Sequence, residues 1–110
     1  MQFDKGHSVG NFLLIGEKSF FTLIHEDGRT RSFSYSGVID IDRTGNGANM
    51  IINHTSTKIV INGSGLELVQ KYLIDETLLA AYENKPIQDD DNKINIITEI
   101  FYVDEEHQEN

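Results

Sequence analysis

The stretch TKIVINGSGLELVQKYLI, residues 57–74, decides the fold. Thr57 to Ile61 is a β-branched run of the length usual for a strand. Asn62-Gly63-Ser64-Gly65 interrupts it with loop residues. The apolar period then changes. Leu66, Val69 and Leu73, with Leu68 and Tyr72 beside them, take i, i+3 and i+7 spacings, which predicts a short amphipathic helix over about residues 65–74. Ser64-Gly65-Leu66-Glu67 has the form of a capping box, in which the serine oxygen and the Glu67 carboxylate each satisfy an amide at the helix start.

Upstream of this stretch the pattern is β throughout. Phe12–Ile15 and Phe20–Ile24 are short β-branched and aromatic runs, and Thr30–Tyr35 alternates Phe33 and Tyr35 with Ser32 and Ser34. Asp27-Gly28 between the second and third runs predicts a hairpin tip, because glycine takes the positive φ such a turn needs. Runs at Val38–Ile41, Met50–Ile52 and Thr57–Ile61, separated by Arg43-Thr44-Gly45-Asn46-Gly47 and His54-Thr55-Ser56, read as a three-stranded meander.

Downstream, residues 77–82 admit two readings. Leucine and alanine favour extension of the helix toward Lys85, with Pro86 as a stop. A short apolar run between polar breaks suits a strand equally, and the strand is preferred by a small margin. Gln88–Lys93, with three consecutive aspartates, is a loop, and Ile94–Val103 is a last strand long enough to lie inside a sheet. The expected architecture is α+β: a strongly bent, mostly antiparallel sheet or roll of six to seven strands with one helix. Residues 1–103 read as a single domain and 104–110 as a polar, acidic, disordered tail.

The chain has 110 residues and no cysteine, which rules out a disulfide scaffold, a thiolate metal site and a cysteine nucleophile. Met1–Gly10 has no apolar core of a signal peptide, and no apolar run reaches membrane-span length, so a cytoplasmic protein is expected. The net charge of −9 is unevenly placed. Residues 1–60 carry six basic and six acidic groups, whereas residues 61–110 carry three lysines and twelve carboxylates. Such a chain repels phosphate backbones and anionic lipid, so neither nucleic acid nor membrane is expected as a partner. A basic protein surface fits better, and the excess charge directs attention to Glu67–Glu109.

Asp40-Ile41-Asp42-Arg43-Thr44-Gly45 opens like a calcium loop, in which alternate oxygens converge on the ion. Its twelfth position is Ile51, where a bidentate glutamate is required, and its flanks read as strands. Asp40, Asp42 and Thr44 are therefore only a weak metal candidate, and exposed strand aspartates are the preferred reading. Asn62-Gly63-Ser64-Gly65 sits where a phosphate loop could, but it lacks the third glycine of a dinucleotide fingerprint and the Lys-Ser/Thr of a P-loop. His7, His25, His54 and His107 have no ligand spacing and are read as exposed. No serine-nucleophile motif is present. No catalytic residue and no cofactor is assigned.

Adjacent apolar residues on a strand point to opposite faces, so Phe20 and Phe21 cannot enter one core layer. Ile96–Ile97 and Ile100–Phe101 pose the same problem. Phe20, Phe21, Ile97 and Phe101 are accordingly the candidate interface residues, and a homodimer is expected. The preferred function is non-enzymatic protein binding. The alternative is a small-molecule-binding or enzymatic roll with an aromatic-lined pocket between helix and sheet.

Overall fold

The computed structural model describes residues 7–9, 13–15, 19–88 and 94–103. These form β1 (His7–Val9), β2 (Leu13–Ile15), β3 (Phe20–Ile24), β4 (Thr30–Ser34), β5 (Val38–Arg43), β6 (Asn49–His54), β7 (Lys58–Gly63), α1 (Leu66–Ile74), β8 (Leu78–Tyr82), β9 (Pro86–Gln88) and β10 (Ile94–Val103). The α+β class, the single helix and the mainly antiparallel pairing are as expected. The strand count among the described residues exceeds the expected six to seven partly because β1 and β9 have three residues each, too few to show a period. The tail at 104–110 lies outside the described residues.

Two five-stranded sheets share one core, the first in the order β1-β2-β8-β3-β4 and the second in the order β5-β6-β7-β10-β9. In the second sheet the meander β5-β6-β7 is antiparallel throughout, and β10 lies between β7 and β9. Strict alternation sends Met50, Ile52, Ile59 and Ile61 inward. The first sheet is less regular. β8 enters between β2 and β3 and runs parallel to β3.

The β3–β4 hairpin turns at Glu26-Asp27-Gly28, with Gly28 at φ 93°. The Gly28 N–H donates to the His25 carbonyl at 2.9 Å and the His25 N–H to the Arg29 carbonyl at 2.8 Å. This is the three-residue loop that ends in a positive-φ glycine. The helix begins differently from expectation. Gly65 is its N-cap, in the left-handed region at φ 70°, and no side chain caps it. Ser64 instead exchanges bonds with the last strand: its N–H donates to the Ile96 carbonyl at 2.9 Å, and its Oγ accepts from the Ile96 N–H at 3.1 Å. The capping box is thus displaced by a pairing with a residue 32 positions away.

The helix buries Leu66, Val69 and Leu73, each contributing about 1.5–3 kcal/mol by removal from water. It stops at Ile74, and residues 78–82 form β8, so the strand reading holds and extension to 85 does not occur. The stop is a Schellman arrangement. The Thr77 N–H reaches the Tyr72 carbonyl at 2.9 Å and the Glu76 N–H reaches Leu73 at 3.1 Å, with Glu76 at φ 59°.

The two sheets join where Glu83, just past β8, bridges in parallel to Ile97 of β10. The β10–β7 register slips between Ile97 and Glu99. At this crossing Gly63, paired with Ile97, admits no side chain: a Cβ would collide with the Ile96 carbonyl oxygen and come within 2.8 Å of the Ile97 Cα. Gly63→Ala is expected to lower unfolding free energy by about 3 kcal/mol in urea denaturation. Gly45→Ala, where a Cβ meets nothing within 4 Å, should stay within about 0.5 kcal/mol of wild type.

Candidate functional site

Three polar or apolar assemblies stand out, and the first is a groove. The chain passes from the first sheet to the second through a turn of 3-10 helix at Tyr35–Gly37. The Tyr35 N–H donates to the Ser19 carbonyl at 2.9 Å and the Thr55 N–H to the Gly37 carbonyl at 2.8 Å, which fixes the turn to both sheets. His54 braces it. The ring accepts the Ser56 N–H at Nδ1 (3.1 Å), so its proton is on Nε2, which donates to the Ser34 carbonyl at 2.9 Å. Gly37 lies flat against this ring, where a Cβ would stand 2.5 Å from Cε1. The Tyr35 ring packs on Phe21 at 5.0 Å, and its phenol donates to the Leu78 carbonyl at 2.7 Å.

Tyr35 and Glu76 line both of two adjoining depressions. One, of about 310 Å³, is walled by Val38–Ile41 of β5 and by Leu73 and Ile74 at the end of α1. The other, of about 420 Å³, continues past Ser19, Phe20, Ser34 and Ser36. Phe20 is 54% exposed, Ile39 65% and Ile74 63%, and all three line this groove. Among the described residues its lining contains two charged groups, the carboxylates of Asp40 and Glu76. Each apolar exposure has a local cause. Phe20 alternates with the buried Phe21, Ile39 occupies the register slip between Val38 and Asp40, and Ile74 is the last residue of α1.

The second assembly lies inside the fold. His25, read from sequence as exposed, is buried: its Nε2 is 2.7 Å from the Tyr102 hydroxyl and its Nδ1 is 3.7 Å from Glu83 Oε1. Glu83 accepts the Glu26 N–H at 2.8 Å through Oε1 and the Ile100 N–H at 2.9 Å through Oε2, one from each sheet's end of the crossing. The Arg31 guanidinium lies 4.5 Å from the Tyr102 ring centre and 5.0 Å from that of Phe33. Every polar group of the cluster is thereby engaged in joining the two sheets.

The third is a cleft of about 510 Å³ between the loops 45–48 and 63–65, flanked by Arg43 and Glu67. It unites the two loop motifs singled out in the sequence. Thr44 and Asn46 satisfy that loop internally, with Asn46 Oδ1 accepting from Thr44 Oγ1 at 2.8 Å and from the Ala48 N–H at 2.9 Å. Arg43 Nε is engaged by Gln70 at 2.8 Å.

Asp40 and Asp42 lie on strand β5, where Asp40 Oδ1 accepts from Asn53 at 2.6 Å, and Thr44 Oγ1 just beyond it is engaged with Asn46 Oδ1. Among the described residues no group of three or more His, Cys, Asp or Glu side chains could hold a metal. Of the four interface candidates, Phe21 and Ile97 are wholly buried in the core and unavailable to a partner, whereas Phe20 and Phe101 are exposed. Phe101 sits beside the half-buried Val60 and Ile51 on the second sheet. Tyr35, Ile39, Ile74 and Glu76 escaped the sequence reading. The one signal pointing to Ile39 and Ile74 was paired apolar residues, Val38-Ile39 and Leu73-Ile74, where one partner has to face away from the core; nothing in the pattern pointed to Glu76.

Among the described residues no helix is long and apolar enough to cross a membrane. No protein-family model matches this chain, and neither a curated protein nor a solved structure is significantly similar to it.

Burial raises the Tyr35 phenol well above its ordinary pKa of 10.0 and raises that of Tyr102 as well, the latter opposed by Arg31. Both groups ionise first in the unfolded chain, so their contribution is intact below pH about 10 and is lost as pH rises beyond it. The urea midpoint should fall between pH about 9 and about 11, and Tyr35→Phe should flatten that fall; a flat wild-type profile would contradict this. Glu83→Gln supplies one oxygen where two N–H groups require acceptors, and should cost about 1–3 kcal/mol by the same measurement.

Proposed function

We propose that this protein is a non-enzymatic binding module whose groove at Phe20, Tyr35, Ile39, Ile74 and Glu76 accepts an apolar, basic segment of a partner protein. One observation carries the reading. Three of the four large apolar side chains exposed among the described residues gather along one groove, and the charged groups lining it among those residues are both negative. Aliphatic and aromatic side chains supply the burial, while Asp40 and Glu76 select the sign of the partner. The chain's net charge of −9 steers the same partner over longer range.

The small-molecule alternative has less support. The depression between α1 and β5 reaches the lower end of the size range of ligand pockets, about 300 Å³. Its phenol, however, is committed to the Leu78 carbonyl, and among the described residues neither depression is lined by an imidazole that could activate the serines of the second. Self-association remains part of the proposal through Phe101, which carries an apolar row across Val60 and Ile51.

An acetylated, amidated peptide of alternating lysine and valine tests the groove by amide NMR. Shifts are expected at residues 35–41 and 73–76, weakened roughly fivefold or more by Ile74→Ser and by salt. A glutamate–valine peptide should give none. Equal shifts from both peptides, or binding indifferent to Ile74→Ser, would refute the reading. Sedimentation of wild type and Phe101→Ser addresses self-association, and a wild-type monomer at low and high salt would end that part.

A further inference from the structure

We infer that the groove's occupant binds as an added β-strand on the free edge of β5, an inference that rests on the groove reading above. β5 ends its sheet and pairs with β6 alone among the described residues. The Thr44 N–H donates to the Asn49 carbonyl, so the hydrogen-bonded positions along β5 are Thr44, Asp42 and Asp40. Ile41 and Arg43 therefore turn their main-chain groups to the other side. There each can exchange an N–H···O and an O···H–N bond with a strand laid against it.

The helix shows why one more strand fits. α1 runs beside β5 in the opposite direction: Gln70 meets Arg43, and Leu73 and Ile74 meet Val38–Ile41 across the depression. Among the described residues the sheet stops at β5, and Ile39 and Ile74 stand exposed along the same depression beside that edge.

The side chains of the added strand would alternate. One set would enter the depression over Ile39 and Ile74. The other would face outward on the side of Asp40 and Asp42, which share one face of β5. The fitting sequence is therefore apolar and basic residues in alternation. A second copy of β5 is a poor occupant: antiparallel self-pairing about Ile41 sets Asp40 of each copy against Asp42 of the other, and opposed like charges destabilise a pair. The register slip at Val38–Asp40 limits the regular edge to Asp40–Arg43, so main-chain bonds alone would not hold an arbitrary strand.

The test uses the full chain and three peptides: the lysine–valine peptide, the same peptide N-methylated on every valine, and that N-methylated on every lysine. Strand addition predicts that one methylated form binds roughly tenfold or more weakly, since its blocked amides face β5. It also predicts that Asp40→Asn with Asp42→Asn weakens the parent peptide several-fold and reduces its salt dependence. If both methylated peptides bind like the parent while Ile74→Ser still weakens binding, strand addition is overturned and the groove stands. If the parent peptide does not bind, both fall.

Discussion

The pairing of Glu83 with Ile97 is the constraint on which the rest of the structure depends. It is a single parallel bridge, yet it brings the end of β8 in the first sheet onto β10 in the second. The Ile97 carbonyl accepts from the Asn84 N–H at 2.7 Å, and the Glu83 N–H donates to the Ile24 carbonyl at 2.8 Å, so two consecutive residues are hydrogen-bonded one into each layer. Glu83 is tolerated there because its carboxylate is saturated by the amides of Glu26 and Ile100 and lies beside His25. Gly63 is needed at the same place because two backbones approach closer than any side chain allows.

From that junction the positions of the other elements follow. With the sheets held together at one side, the chain crosses between them again through the short turn at Tyr35–Gly37 and once more through α1. The groove lies between these two crossings, at the margin of the second sheet. Its walls are held from behind by the His54 ring against Gly37, the Tyr35 phenol on the Leu78 carbonyl and the Schellman turn that places Glu76. A site whose walls are fixed in advance loses less entropy on binding.

Much of this fold was legible in the residues. The meander, the glycine of the hairpin tip, the amphipathic helix and the central last strand follow from period and turn chemistry, because those features are local, whereas the helix's end was open between two readings. What was illegible depended on distant partners. Ser64 has the sequence environment of a cap, yet Ile96 captures it. His25 has the environment of a loop end, yet Tyr102 buries it. The interface candidates split for the same reason: alternation correctly separates Phe20 from Phe21 but cannot say which of them faces outward. Asp40 opens a calcium-like pattern in the sequence, whereas among the described residues it lies on the edge strand of the second sheet, bonded to Asn53. The groove also draws on both halves of the chain, with Asp40 from the neutral one and Glu76 from the acidic one.

The insertion of β8 between β2 and β3 has a consequence for how the chain acquires this shape. Thr22 and Ala80 are neighbours in the first sheet, so closing that sheet joins segments that the whole meander and the helix separate along the chain. The second sheet's meander, by contrast, needs only short hairpin loops. Pairing of β5, β6 and β7 thus closes only short loops, whereas joining β8 to β3 carries the larger loop-closure entropy.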